Sequence, residues 1–193
     1  MRLDVLDHGY GPGTKLLFAL IRLFSRHPVP DAAKLVFYRP DFYGARAKAF
    51  THEAMHGPSD WSVGDRELMA AYVSKVNETA FCISAHTATA SQAYQDGPRV
   101  VAVLADLESA PVDEPLRATL RMLGKLTREG TVDAEDMREV LAAGASPQQV
   151  KDALAVCAAF NVTDRLADAF GFALLTPEAF EAGARYLLKR GYR

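Results

Sequence analysis

Disulfide bonds are the first thing this chain has little means to build. Its 193 residues contain two cysteines, Cys82 and Cys157, far apart in sequence. Two are too few for a disulfide framework, and a reducing cytoplasm is the expected compartment. Long hydrophobic runs are missing as well. The longest apolar stretch near the N-terminus, Leu16 to Ile21, is bracketed by Lys15 and Arg22 and is far too short to cross a bilayer. Asp4 and Asp7 stand where a secretory leader needs basic residues, so neither a leader nor a membrane partner is expected. Clusters of lysine and arginine are absent, and the formal net charge is −2. Nothing in that balance calls for a nucleic-acid partner. Strand-like alternation of apolar and polar residues is scarce, which argues against a β-sheet fold.

What remains is helix signal. Hydrophobic residues make up 49% and charged ones 24% of the chain, an ordinary globular balance, and alanine and leucine abound. Glycine and proline divide the chain into segments of helical length. The first helix is expected from about 13 to 26, amphipathic and packed on the body or on a partner subunit. A short helix follows Pro30, and another spans about 41 to 56. Ser62 suits the N-cap of a helix reaching about Val76. Asn77-Glu78-Thr79 reads as a break before a helix over 81–95. Further helices are expected over 98–107, 115–127, 133–144 and 147–172, with a last one after Pro177. Ser146-Pro147 and Thr176-Pro177 are cap-and-N1 pairs, and Gly144 suits a helix end. No linker, low-complexity tract or internal repeat stands out. The expectation is one all-α domain over residues 1–193.

Residues 81 to 86 read Phe-Cys-Ile-Ser-Ala-His. On a helix, Cys82 and His86 are at i and i+4 and share a face. A thiol needs a base or a positive neighbour to become a reactive thiolate, and a histidine one turn away supplies one. The first turns of a helix also favour the thiolate through free N–H groups and the dipole. Glu67 is a candidate to orient His86, provided the two helices fold back on each other. A buried, inert cysteine is the common alternative for such a pair.

A second pattern is Thr51-His52-Glu53-Ala54-Met55-His56. His-Glu-x-x-His on a helix is the zinc-hydrolase arrangement, in which two imidazoles bind metal beside a general base. It needs a third ligand. The metzincin continuation fails, because Ser59 and Ser62 stand where glycine and histidine are required. Glu78 is the downstream candidate. Gly57-Pro58 ends the helix at once, so a metal at His52 and His56 is the lesser alternative.

Several segments in order carry a resemblance. Gly57 to Leu68, containing Trp61 and the Arg66-Glu67 pair, is similar to a segment of peroxidase-related members of the alkylhydroperoxidase-like (AhpD-like, carboxymuconolactone-decarboxylase-related) superfamily. Ser74 to Asn77, with Phe81-Cys82 and His86-Thr87, resembles that superfamily's Asn-x-Cys-x-x-Cys-x-x-x-His core. Phe160-Asn161 through Arg165-Leu166-Ala167-Asp168 to Gly171 is similar to the subgroup's C-terminal signature. The resemblance covers about residues 40–175, leaving 1–39 as a helical extension.

It implies an AhpD-like helical bundle that forms homo-oligomers, commonly trimers or hexamers. The implied activity is peroxiredoxin-type reduction of a small hydroperoxide. Cys82, His86 and Glu67 match the functional positions, no metal or organic cofactor is used, and an external thiol serves as reductant. One position departs from the pattern. The first cysteine of the redox pair falls at 79, where this chain has Thr79. Three outcomes follow: a single-cysteine peroxidase, a non-redox acid–base enzyme like the lactone decarboxylases, or a vestigial site. Cys157 lies in an apolar helical stretch and reads as a buried thiol rather than a replacement partner.

Arg66 is expected to pair with a carboxylate near the site. Asn161 and Arg165, one turn apart, are expected to organise helix packing or a subunit contact. Trp61 and the group Phe37, Tyr38, Phe42 and Tyr43 are either core or the lining of a small apolar pocket.

Overall fold

The computed structural model describes residues 4–38 and 40–192, without the side chains of Phe42 and Tyr43. Every regular element among them is helical. A 3₁₀ turn at Asp4–Leu6 precedes α1 (Pro12–Ser25) and α2 (Asp31–Tyr38). A π turn at Pro40–Gly44 leads into α3 (Ala45–His56). Then come α4 (Val63–Val76), α5 (Ala80–Tyr94), α6 (Gly97–Ala105), α7 (Glu114–Glu129), α8 (Ala134–Ala142), α9 (Pro147–Phe170) and α10 (Pro177–Arg190). The chain has the all-α fold expected of its sequence. The helix anticipated from about residue 41 begins instead at Ala45, because the π turn takes up the preceding five residues.

The helix ends follow their local chemistry. Ser62 accepts from the Asp65 backbone while Asp65 answers at the Ser62 amide, a capping box that opens α4. Ser146 and Gln149 do the same for α9, with Pro147 in its first turn. Thr176 caps α10.

Helix α4 is the axis of the fold. Leu68, Met69, Ala70, Ala71 and Val73 are all fully buried, so the middle of this helix meets other parts of the chain on every side, and its buried polar residues Arg66, Glu67 and Ser74 are all in the interior with it. It packs against α5, α9, α7 and α6, with α10 laid on α5 and α8 on α7. The main core joins Trp61, Leu68, Met69, Val100, Leu120, Leu123 and Phe160. A second, smaller cluster forms where the N-terminal segment meets α5 and α9. There Leu6, Leu35, Phe81, Cys82, Ala167 and Phe172 pack together.

Helix α1 stands apart from both clusters and buries none of its residues. Phe18 packs toward the body, edge-on to Tyr10 at 5.1 Å and to Phe37 at 5.4 Å. Leu16, Leu23 and Phe24 are exposed to 62%, 70% and 83%.

Candidate active site

The site is built on the turn between α4 and α5. Glu78 adopts a left-handed φ of 60°. The Thr79 amide bonds back to Ser74 O and the Glu78 amide to Lys75 O, each at 3.0 Å. This is a Schellman ending with glutamate in the place usually held by glycine. It reverses the chain, so α5 runs back along α4. The fold-back brings Glu67 to His86, with Oε2 2.7 Å from Nδ1. Glu67 is fully buried and His86 is 5% exposed. The other Glu67 oxygen, Oε1, accepts from the Tyr192 phenol at 2.9 Å. Phe160 from α9 meets the imidazole edge-to-face at 4.4 Å and closes the apolar side.

Cys82 lies in the first turn of α5 and is 2% exposed. Its charged neighbours are carboxylates of α9. Asp164 is fully buried and accepts from Ser74 Oγ and Asn77 Nδ2, each at 2.9 Å. Burial pushes the Cys82 thiol up, and the charge and hydrogen bonding of Asp164, then the charge of Asp168, add to it. This overturns the expectation of a helix start that favours the thiolate. A helix terminus contributes about 0.3–1 kcal/mol, whereas full burial shifts a group by up to about 3–5 units, each worth about 1.4 kcal/mol. Burial and two carboxylates outweigh the dipole. Asp164 is itself raised by burial, opposed by the bonds it receives from Asn77, Cys82 and Ser74. Tyr192 is raised by burial and by the Glu67 carboxylate.

Position 79 has a definite occupant. Thr79 is buried and its hydroxyl donates to Asp168 Oδ2 at 2.9 Å, which leaves it making no side-chain cap for α5. Cys157 does not join Cys82, and both thiols are free. Cys157 is buried in the main core, where Asn161 Nδ2 donates to its sulfur at 3.3 Å.

The other sequence candidates fall elsewhere. His52 and His56 do share a face of α3, their rings stacked at 5.6 Å. Among the described residues, however, no group of three or more His, Cys, Asp or Glu side chains is arranged to hold a metal. Arg66 is buried and donates to the carbonyls of Ala54 and Gly57, at 3.3 and 2.9 Å. It thus closes the end of α3 rather than hydrogen-bonding a carboxylate of the site. Asn161 ties α9 to Thr127 and Asn77, while Arg165 is exposed. Trp61 is core, its indole donating to Gln149 O at 2.8 Å. The Phe42 and Tyr43 side chains lie outside the described residues. A pocket of about 170 Å³ opens on α7 and α8, lined by Arg121, Lys125, Asp136 and Glu139 among others, and includes none of the Cys82 group.

Sequence reasoning missed Tyr192 and gave Asp164 no role. Tyr192 carries no local signal, since its partner is 125 positions away. Asp164 sits one turn from Phe160 on the same helix face, and it is the packing of α9 against α4 and α5 that brings both to the site.

Comparison with solved structures shows the same architecture. A peroxidase-related protein from Silicibacter sp. TM1040 matches with a TM-score of 0.78 at 24% identity, over 93% of each chain. A peroxidase-related protein with an alkylhydroperoxidase AhpD core, from Ralstonia eutropha JMP134, gives 0.73 at 20% identity over 95% of each chain. The debrominase Bmp8 gives 0.66 at 14% identity, over 90% of this chain and 92% of that one. A cysteine-to-alanine variant of Bmp8, in complex with 2,3,4-tribromopyrrole, matches at 0.65 with 16% identity, over 92% of this chain and 90% of that one. No protein-family model and no curated protein matches the sequence.

Proposed function

We propose that this chain, which has the AhpD-like fold, is a single-thiol peroxidase acting on a small hydroperoxide. The observation that carries the reading is the buried Glu67–His86 contact at 2.7 Å, one helical turn from a buried thiol. An ionised Glu67 holds the imidazole proton on Nδ1 and leaves Nε2 as a base. The thiol rests protonated, because its surroundings disfavour charge. Deprotonation therefore belongs to the reaction itself, with His86 taking the proton as the sulfur attacks.

The sulfur bonds to one peroxide oxygen as the O–O bond breaks, and the alkoxide leaves with the proton from His86. Cys82 becomes a sulfenic acid. One external thiol then condenses with it, releasing water and forming a mixed disulfide. A second thiol attacks that disulfide, frees Cys82 and departs as the oxidised reductant. No thiol at position 79 is needed. A cytoplasmic, thiol-rich compartment suits this cycle. Among the described residues no helix is long and apolar enough to cross a membrane. The uncovered apolar face of α1 favours a homo-oligomer, trimer or hexamer, with a second copy lying over that face.

The raised Cys82 thiol and the buried carboxyls Glu67 and Asp164 favour a second reading, acid–base chemistry without sulfur. Mass spectrometry after mild peroxide treatment separates the two. Trapped sulfenic acid at Cys82, lost in His86→Ala, is the expected result. No oxidation of Cys82 and no peroxide consumption with any thiol reductant sinks the peroxidase. The debrominase neighbour makes a brominated pyrrole the second electrophile to offer. Debromination without peroxide consumption reassigns the substrate while keeping the nucleophile.

A further inference from the structure

The segment after α10 folds back onto the body, with Gly191 buried and Tyr192 half-buried. After α10, Gly191 turns the backbone at a φ of 65°. A Cβ on it would stand 2.5 Å from His52 Nδ1. The left-handed turn and the close passage over α3 each demand glycine. That turn seats the Tyr192 ring edge-on to His56 at 5.8 Å and brings its phenol to Glu67.

Glu67 has three torsions between backbone and carboxylate. A single contact leaves the carboxylate free to swing. Two contacts, Tyr192 Oη on Oε1 at 2.9 Å and His86 Nδ1 on Oε2 at 2.7 Å, fix its plane. The groups acting on His86 are then few. Glu67 faces it from α4, Asp164 acts on it by charge from α9, and Cys82 is one turn away on its own helix. Phe160 adds an apolar wall. Within this set Tyr192 hydrogen-bonds Glu67 and interacts with Cys82 through charge.

We propose that Tyr192 is a positioning residue of the Cys82 site: its phenol fixes the Glu67 carboxylate so that His86 keeps its proton on Nδ1 and presents Nε2 as the base. The inference rests on the reading of His86 as the base for Cys82. A purely structural role for Tyr192, satisfying a buried carboxylate, would leave the histidine tautomer and the chemistry of the thiol unmoved.

The test uses the full chain. Histidine side-chain ¹⁵N NMR, with His86→Ala assigning the signal, reports the tautomer without any turnover. The wild type is expected to show the Nδ1–H form. Tyr192→Phe keeps the ring and removes the hydroxyl. It is expected to show both tautomers, with oxidation of Cys82 by hydrogen peroxide slowed about tenfold near neutral pH and its pH profile displaced. Gly191→Ala withdraws the whole tail and is expected to reproduce both changes. A folded Tyr192→Phe with a pure Nδ1–H signal and an unchanged pH profile overturns the proposal. A changed tautomer with unchanged Cys82 oxidation supports the positioning and refutes His86 as the base, so the two readings fail separately.

Discussion

Asp164 is the residue on which the character of the site turns. Its carboxyl holds a proton more tightly in the folded chain than outside it, because burial outweighs the donors it receives. Folding therefore takes up a proton between the unfolded value of about 3.9 and the raised folded value, and stability falls as pH rises through that interval. Asp164→Asn removes this slope. The advantage of wild type over variant in urea denaturation is expected to shrink as pH rises from about 4. An advantage that grows with pH contradicts the assignment. The same substitution takes a negative charge away from Cys82 and is expected to lower the pH midpoint of its alkylation by iodoacetamide. A midpoint that stays put or rises would show that Asp164 does not govern the thiol.

At the scale of elements, the N-terminal segment is a cover. Leu6 of the 3₁₀ turn and Leu35 of α2 pack in the same cluster as Cys82, so the thiol is shielded by chain that precedes the main helical body. Paired Leu6→Ala and Leu35→Ala substitutions open that cover. Cys82 is expected to react severalfold faster with iodoacetamide, while Cys157, in the other core, keeps its rate. Equal acceleration of both thiols would point to general loosening instead. Elements of this kind were legible to different degrees. Ser62, Ser146-Pro147 and Thr176-Pro177 announce helix starts because capping is chemistry within four residues. Cys82 and His86 share a face for the same local reason. Glu67 needed the reversal at Glu78, a left-handed residue that no glycine marks. Tyr192 needed the packing of a whole tail, and the sign of the Cys82 shift needed the depth of its burial and the approach of α9. None of those is a property of a short window of sequence.

At the scale of the molecule, α1 is unfinished business for a lone chain. Its exposed Leu16, Leu23 and Phe24 lie on one helix face, an apolar stripe of the kind that marks contact sites. With a second copy over this face, Leu23→Asp combined with Phe24→Asp is expected to shift sedimentation from oligomer to monomer while helical content is kept. An unchanged oligomer moves the subunit contact to another face. A wild type that sediments as a monomer removes the proposal of self-association.

The hydroxyl that Thr79 gives to Asp168 sets a clock on the enzyme proposed here. With no thiol in that place, each oxidised Cys82 waits for a visitor. A reductant resets it, and a second peroxide carries it on to a sulfinic acid from which it does not return. The number of cycles each molecule completes is then the ratio of those two encounter rates. Plentiful thiol lets it run on, whereas a burst of oxidant spends it like a fuse.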